Sequence, residues 1–343
     1  MGDWNEGDHP REQRTKRFTN KRAGGADPSA DLEADAAYGS VFTTPVDPDS
    51  TGQMGVEQER VLEDAVRSHA TISEFSMARR RRYVERVLDG MPDTQSRFST
   101  VDDQGRRSYT PERLRLQDAI IDRMMDRARD VPCDRRALMT GGIGGAGKSS
   151  SLRAMGVNGD EWLTLNNDDI KEEMARAGMI PKVRGLTPME SCPLVHEEAS
   201  DMLARMRRRA LDRGMNVIVD GTMSSYGSTS RKIGQLHDAG YEVRAMFVDV
   251  SVDTAKRRAF GRYRRSMDEY TTSGVGVGGR WLPERVIESQ RSDDPGFRTV
   301  NAETFGRLAR EGVFDGEPAV FDNDVDGRGS RRLRLDSFIH ADG

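Results

Sequence analysis

The sequence predicts an α/β fold: a parallel sheet covered by helices on both faces. Three observations predict it. From residue 136 onward, short apolar runs alternate with segments of helical period, as in chained β-α-β units whose crossovers cover the sheet. The run MNVIVDGT (215–222) is continuously apolar up to its polar end, the mark of a strand buried on both sides. The glycine-rich stretch ALMTGGIGGAGKSSSL (137–152) has a strand signal before it and a helix signal after it.

That stretch also carries chemistry. Gly142, Gly147, Lys148 and Ser149 fit G-x-x-x-x-G-K-[ST], the phosphate-binding P-loop. Glycines at 141, 142, 144, 145 and 147 let the backbone turn tightly and aim successive N–H groups at one centre. Nucleotide phosphates are expected against Gly142, Ile143, Gly144, Gly145, Ala146, Gly147, Lys148, Ser149 and Ser150. Lys148 should reach the β- and γ-phosphates and the Ser149 hydroxyl should sit on Mg²⁺. ATP and Mg²⁺ are the expected ligands.

Composition sets the outer limits. With 343 residues the chain can form one large domain with appendages, or two domains. Charged residues make up 32% and hydrophobic ones 35%, so part of the chain is expected outside any core. A net charge of −4 gives no global attraction to nucleic acid or membrane, and neither is an expected partner. Cys133 and Cys192 form neither a metal-ligand pattern nor a disulfide framework. There is no signal peptide and no apolar stretch near the roughly 18 residues of a membrane span, so a cytoplasmic location is expected.

In order, residues 1–55 read as a disordered polar segment and 56–130 as a helical extension. Its first helix spans 56–88, with Val61, Ala65, Ile72, Val84 and Leu88 on one face, and stops at Gly90, Met91 and Pro92. The run Arg79 to Arg82 reads as a solvated face or as partners of acids elsewhere in the chain. A second helix is capped by Thr110, with Pro111 in its first turn. Ile120, Ile121, Met124 and Met125 belong to its apolar face, and both helices are expected to pack on the core. Residues 131–326 form the α/β domain, with strands at 162–167, 215–222, 242–250 and, last, 319–324. Helices are expected at 169–178, 197–213, 229–239 and 254–270, and 327–343 read as a C-terminal tail.

The P-loop, Asn166–Asn167–Asp168–Asp169 and Asp220–Gly221–Thr222 should meet at the C-terminal edge of such a sheet, where ligands of open α/β folds bind. Asp168 lies 20 residues after Lys148, at the end of the next strand. It is the candidate to take the proton of an attacking hydroxyl. The alternative is that Asp168 or Asp169 caps a helix starting at Ile170. Asp220 ends its strand as a Walker-B acid does and would hold the Mg²⁺ shell or a substrate hydroxyl; the alternative is a turn aspartate before Gly221. His196–Glu197–Glu198 lacks a second histidine four residues on, where Ser200 stands, so it reads as an acid-rich helix start. Lys256, Arg257, Arg258, Arg262, Arg264 and Arg265, with Arg280 after SGVGVGGR, read as a lid. About two of its arginines are expected to close on the phosphates.

GGIGGAGKSS, LNNDDIK, a helix beginning HEEAS, GMNVIVDGTM, GRYRR, GGRWLP and EGVF…AVFDNDVDG stand in this order between about Arg135 and Asp324. The ordered set resembles the zeta-toxin family, P-loop kinases of the toxin–antitoxin type. The resemblance implies a P-loop kinase fold and ATP-dependent phosphorylation of a hydroxyl on a UDP-activated aminosugar, usually UDP-N-acetylglucosamine. It implies Asp168 as the base. Asp220, where a glutamate is common, and Thr222 would hold substrate, while Arg262 and Arg280 would clamp phosphates. An antitoxin or another protein partner accords with the family type. Two rival readings stand beside it. One is a polynucleotide 5′-hydroxyl or nucleotide kinase, which shares the loop and the acceptor-activating aspartate. The other is a partner-binding assembly protein with a vestigial ATP site.

Overall fold

A computed structural model describes residues 74–273, 276–280, 282–324 and 330–339. The expectations for residues 1–73, the disordered segment and the front of the first helix among them, lie outside these. The central sheet has six strands. β3 (Arg136–Gly141), β4 (Leu163–Leu165), β5 (Val217–Asp220), β6 (Glu242–Asp249) and β7 (Ala319–Asp322) run parallel in the order β4-β5-β3-β6-β7. An edge strand, β8 (Arg331–Leu333), is antiparallel to β7. β7 is therefore not the last strand. The polar RRL of β8 has no apolar alternation to betray it, because it pairs on one side only.

Ahead of the sheet lie α1 (Glu74–Leu88), α2 (Thr94–Phe98), a hairpin of β1 (Ser99–Val101) with β2 (Arg107–Tyr109), and α3 (Pro111–Arg127). Thr110 caps α3 by accepting from the Arg113 N–H, as its sequence predicts. The sheet is wrapped by α4 (Lys148–Ala154), α5 (Asn167–Arg176), α6 (His196–Asp212), α7 (Tyr226–Asp238), α8 (Val252–Ser273), α9 (Glu284–Glu288), α10 (Val300–Arg310) and α11 (Leu335–Ile339). Among the described residues no helix is long and apolar enough to cross a membrane.

Alternate residues of each strand feed opposite layers, because strand side chains have a period of two. Met139, Val217, Val219 and Phe247 join Ile120, Met174, Met202 and Phe305 in one core. Leu138, Ile218, Met246 and Val248 join Val252, Ala255 and Ala259 in the other. Phe247 stacks on Phe305 with ring centres 4.8 Å apart, and Phe338 of α11 lies 5.7 Å from Phe247. Residues read as a C-terminal tail thus reach the core.

Two buried ion pairs fasten the front helices to this body. The Arg113 Nε and Nη2 of α3 each donate to Glu198 of α6 at 2.7 Å, and Gln117 Nε2 donates to the same carboxylate at 2.7 Å. Arg80 of α1 meets Glu190 in the same two-pronged way. For Arg80, the reading of an acidic partner within the chain holds. Glu197 and Glu198 both lie in the first turn of α6, as an acid-rich helix start predicts; Glu197 is exposed and Glu198 is fully buried.

Candidate active site

Between β3 and α4 the loop is built on left-handed glycines: φ is 122° at Gly142, 95° at Gly145 and 90° at Gly147. A Cβ at Gly145 would lie 2.6 Å from the Ala255 carbonyl oxygen. One at Gly142 would strike the Val248 carbonyl, and one at Gly147 the Asn323 amide. Asn323 Nδ2 donates to the Ala146 carbonyl at 2.7 Å and braces the loop from the end of β7. Ile143 is buried beneath the loop, Gly144 faces Leu282, and Ser149 and Ser150 are exposed at the start of α4.

Lys148 Nζ donates to the Gly142 carbonyl at 3.1 Å and stands 3.6 Å from Asp220 Oδ1. That same oxygen accepts from the Thr140 hydroxyl at 2.6 Å, so two neighbouring strand ends fix Asp220. Burial pushes the Lys148 ammonium below its usual range, Asp220 opposes this, and Arg262 and Arg280 add to the depression. The lysine thus sits in the field of all three groups. Arg262 lies at the exposed rim of the cleft, where partial desolvation lowers it, with Asp220 and Glu172 opposing. Burial takes Arg280 down to about 10, which leaves it cationic at neutral pH.

Asp168 lies in the first turn of α5, where its Oδ2 touches the Arg280 guanidinium and its Oδ1 stands 3.7 Å from Lys171 Nζ. Neither aspartate caps this helix, and the helix does not start at Ile170. It starts at Asn167, and the Asn166 side chain accepts from the Asp168 N–H at 2.8 Å. A cap two residues earlier frees both carboxylates from capping, and that of Asp168 meets Arg280 in the cleft. Asp169 diverges from its neighbour: burial, then Glu172 and Asp220 nearby, push its carboxyl up to about 6.

Thr222 is exposed at the end of β5, and its hydroxyl donates to Ser224 Oγ at 3.2 Å. Its carbonyl accepts from the Gly142 N–H at 3.3 Å and from Asn301 Nδ2 at 2.7 Å, which joins this turn to the P-loop. Of the expected lid, Arg262 and Arg280 reach the cleft. Lys256 instead bonds Glu284 and Glu288 of α9 at 2.5 Å, while Arg264 and Arg265 face solvent. Sequence reasoning missed Thr140, Lys171, Asn301 and Asn323. Asn323 alone carried a signal, as a polar residue at the end of an apolar strand.

A family model described as zeta toxin matches residues 121–324, more than half of the chain. The chain belongs to the zeta toxin family. As a zeta-toxin family protein it is a P-loop kinase in fold, and the match runs from within α3 to just past β7. No curated protein matches the chain. Among solved structures, it is similar to a chain of the PezAT chromosomal toxin-antitoxin system of Streptococcus pneumoniae: 14% identity and TM-score 0.45, covering 65% of this chain and 80% of that one. It is also similar to a chain of AvrRxo1-ORF1:-ORF2 solved with ATP: 14% identity and TM-score 0.47, covering 71% and 76%. α1, α2 and the β1–β2 hairpin precede the zeta-toxin match.

The left-handed glycines at 142, 145 and 147 seat the loop tightly against Val248, Ala255 and Asn323, and a loop turned on such glycines fits a polyphosphate. Among the described residues no group of three or more His, Cys, Asp or Glu could hold a metal ion. Mg²⁺ fits nonetheless, since it takes one or two protein oxygens and completes its shell with phosphate and water. Ser149 and Asp220 are the oxygens at hand.

Proposed function

We propose that the protein is an ATP-dependent kinase that transfers the γ-phosphoryl group to a hydroxyl of a UDP-activated aminosugar, with UDP-N-acetylglucosamine the first acceptor to test. The observation that carries this reading is the convergence of Lys148, Asp220, Asp168, Arg262 and Arg280 at one mouth of the sheet. Phosphoryl transfer asks mainly for positioning and charge neutralisation, and a cleft with three cations and an acceptor-side carboxylate answers both needs. The P-loop amides and Lys148 bind the donor phosphates. Mg²⁺, when bound, supplies further neutralisation of phosphate charge. Arg262 and Arg280 follow the charge of the transferring group, and Asp168 Oδ2 takes the acceptor proton once Arg280 turns to the phosphates. Asp220, fixed by Thr140, orients the acceptor with Thr222. A protein partner of the antitoxin kind belongs to this reading on family membership.

The test is ATP turnover by purified protein with and without UDP-N-acetylglucosamine, with the product weighed by mass spectrometry and Lys148→Ala run in parallel. A phosphorylated sugar nucleotide from the wild type alone supports the proposal. ATP binding without any such product would sink the acceptor assignment and direct the search to nucleotides and nucleic-acid 5′ ends.

A further inference from the structure

We infer that α1 positions both arginines of the cleft through a buried Arg80–Glu190–Tyr263 relay, so that Arg80 and Glu190 are positioning residues for the transfer proposed above, on which this inference rests. Glu190 is the hub and is fully buried. Arg80 Nε and Nη2 donate to its two oxygens at 2.7 and 2.6 Å, the Tyr263 hydroxyl donates to Oε1 at 2.5 Å, and the Thr187 N–H donates to Oε2 at 2.8 Å. Burial alone would raise the Glu190 carboxyl; Arg80, Tyr263 and Thr187 overcome it and hold the group ionised.

The relay ends one residue short of each arginine. Tyr263 follows Arg262 on α8. Gly279 precedes Arg280 and lies flat on α8: a Cβ there would come within 2.7 Å of Tyr263 and Met267. The Gly279 N–H also points at Met267 Sδ at 3.1 Å. One step back, Gly278 has φ 85°, and a Cβ there would overlap Thr187, which itself binds Glu190. The Met189 N–H donates to the Val277 carbonyl at 2.9 Å. Glu190 therefore holds the floor under both the helix bearing Arg262 and the glycine segment bearing Arg280. α1 adds its own weight, since Val84 packs with Val183, Leu186, Leu194, Tyr263 and Met267. α1 lies before the matched family region, so the clamp of this chain is completed by an extension.

The test compares wild type with Arg80→Lys, which keeps the charge and loses the fork, and Tyr263→Phe, which keeps the ring and loses the hydroxyl. Amide exchange is followed in the ligand-free full chain, and phosphoryl transfer in parallel. Exchange at 277–280 should quicken about tenfold, with β3 and β6 unchanged. The kcat should fall about tenfold or more, because small misplacement of charge is costly in transfer, while KM for ATP moves less. A merely structural role would lower the melting temperature and leave kcat of the folded protein untouched. Wild-type exchange at 277–280 in both folded variants, or faster exchange with unchanged kcat, overturns the inference. If the wild type transfers to no hydroxyl acceptor, the kinase reading alone fails, and the exchange arm still decides whether the relay holds the segment.

Discussion

The Arg280 guanidinium rests on the Oδ2 oxygen of Asp168, while Lys171 stands 3.7 Å from the carboxylate's other oxygen. The group expected to receive a proton is thus held between two cations. Asp168→Asn keeps the shape and removes the acceptor. Transfer should fall by about 10²- to 10⁴-fold, the usual worth of a positioned base, with ATP affinity little changed. Single-turnover quenching with labelled ATP measures this; near-normal transfer by the folded variant would remove Asp168 from the role.

Arg280 has a separate job on the phosphates. Arg280→Ala should lower kcat about 10³-fold, and Arg280→Lys should recover little, because an ammonium cannot span two oxygens as the planar fork does. Steady-state rates at saturating ATP decide it, and full recovery by lysine would refute the two-pronged role.

Gly145 tests the cradle. Gly145→Ala forces a Cβ toward the Ala255 carbonyl at a φ of 95°. The variant should melt cooperatively and bind ATP at least about tenfold more weakly, since the loop's N–H groups no longer converge. Calorimetric titration giving wild-type affinity would show that the loop does not hold the phosphates.

Asp169 gives a pH signature. Its folded pKa of about 6 lies above the roughly 3.9 of an unfolded aspartate. The folded chain therefore binds this proton more tightly, so the contribution is favourable below about pH 4 and is lost as pH rises through about 6. Asp169→Asn should raise stability by up to about 3 kcal/mol at pH 8 and by little at pH 4. Urea midpoints at the two pH values check this, and an equal gain at both would contradict it.

Arg113→Met leaves Glu198 buried without its fork. The cost should be about 3–5 kcal/mol, and adding Glu198→Met should return most of it, because a buried pair replaced whole by apolar groups is close to neutral. Chemical denaturation of the single and double variants measures the difference.

The sheet and the cleft were legible because their signals are local. Strand, loop and helix of the P-loop adjoin in sequence, and Asp168 and Asp220 each follow an apolar run. Residues that act at a distance left no such trace. Glu198 reads in HEEAS only as a helix-start acid, and its burial leaves no sign there because its partner Arg113 is 85 residues away. Asn301 and Thr140 gain meaning only when the strand order sets β5 beside β3. The start of α5 was misjudged because two asparagines precede the aspartates and the first of them takes the cap.

The two buried forks also bear on synthesis. Arg80 leaves the ribosome 110 residues before Glu190, and Arg113 leaves 85 residues before Glu198. At about 5–20 residues per second, α1 waits roughly 5 to 20 seconds for its counter-charge. Until then its inward face carries a cation that no core can accept. α1 and α3 are therefore made well before they can dock, and a nascent chain halted before residue 190 would display them, undocked, to whatever chaperone or protease is near.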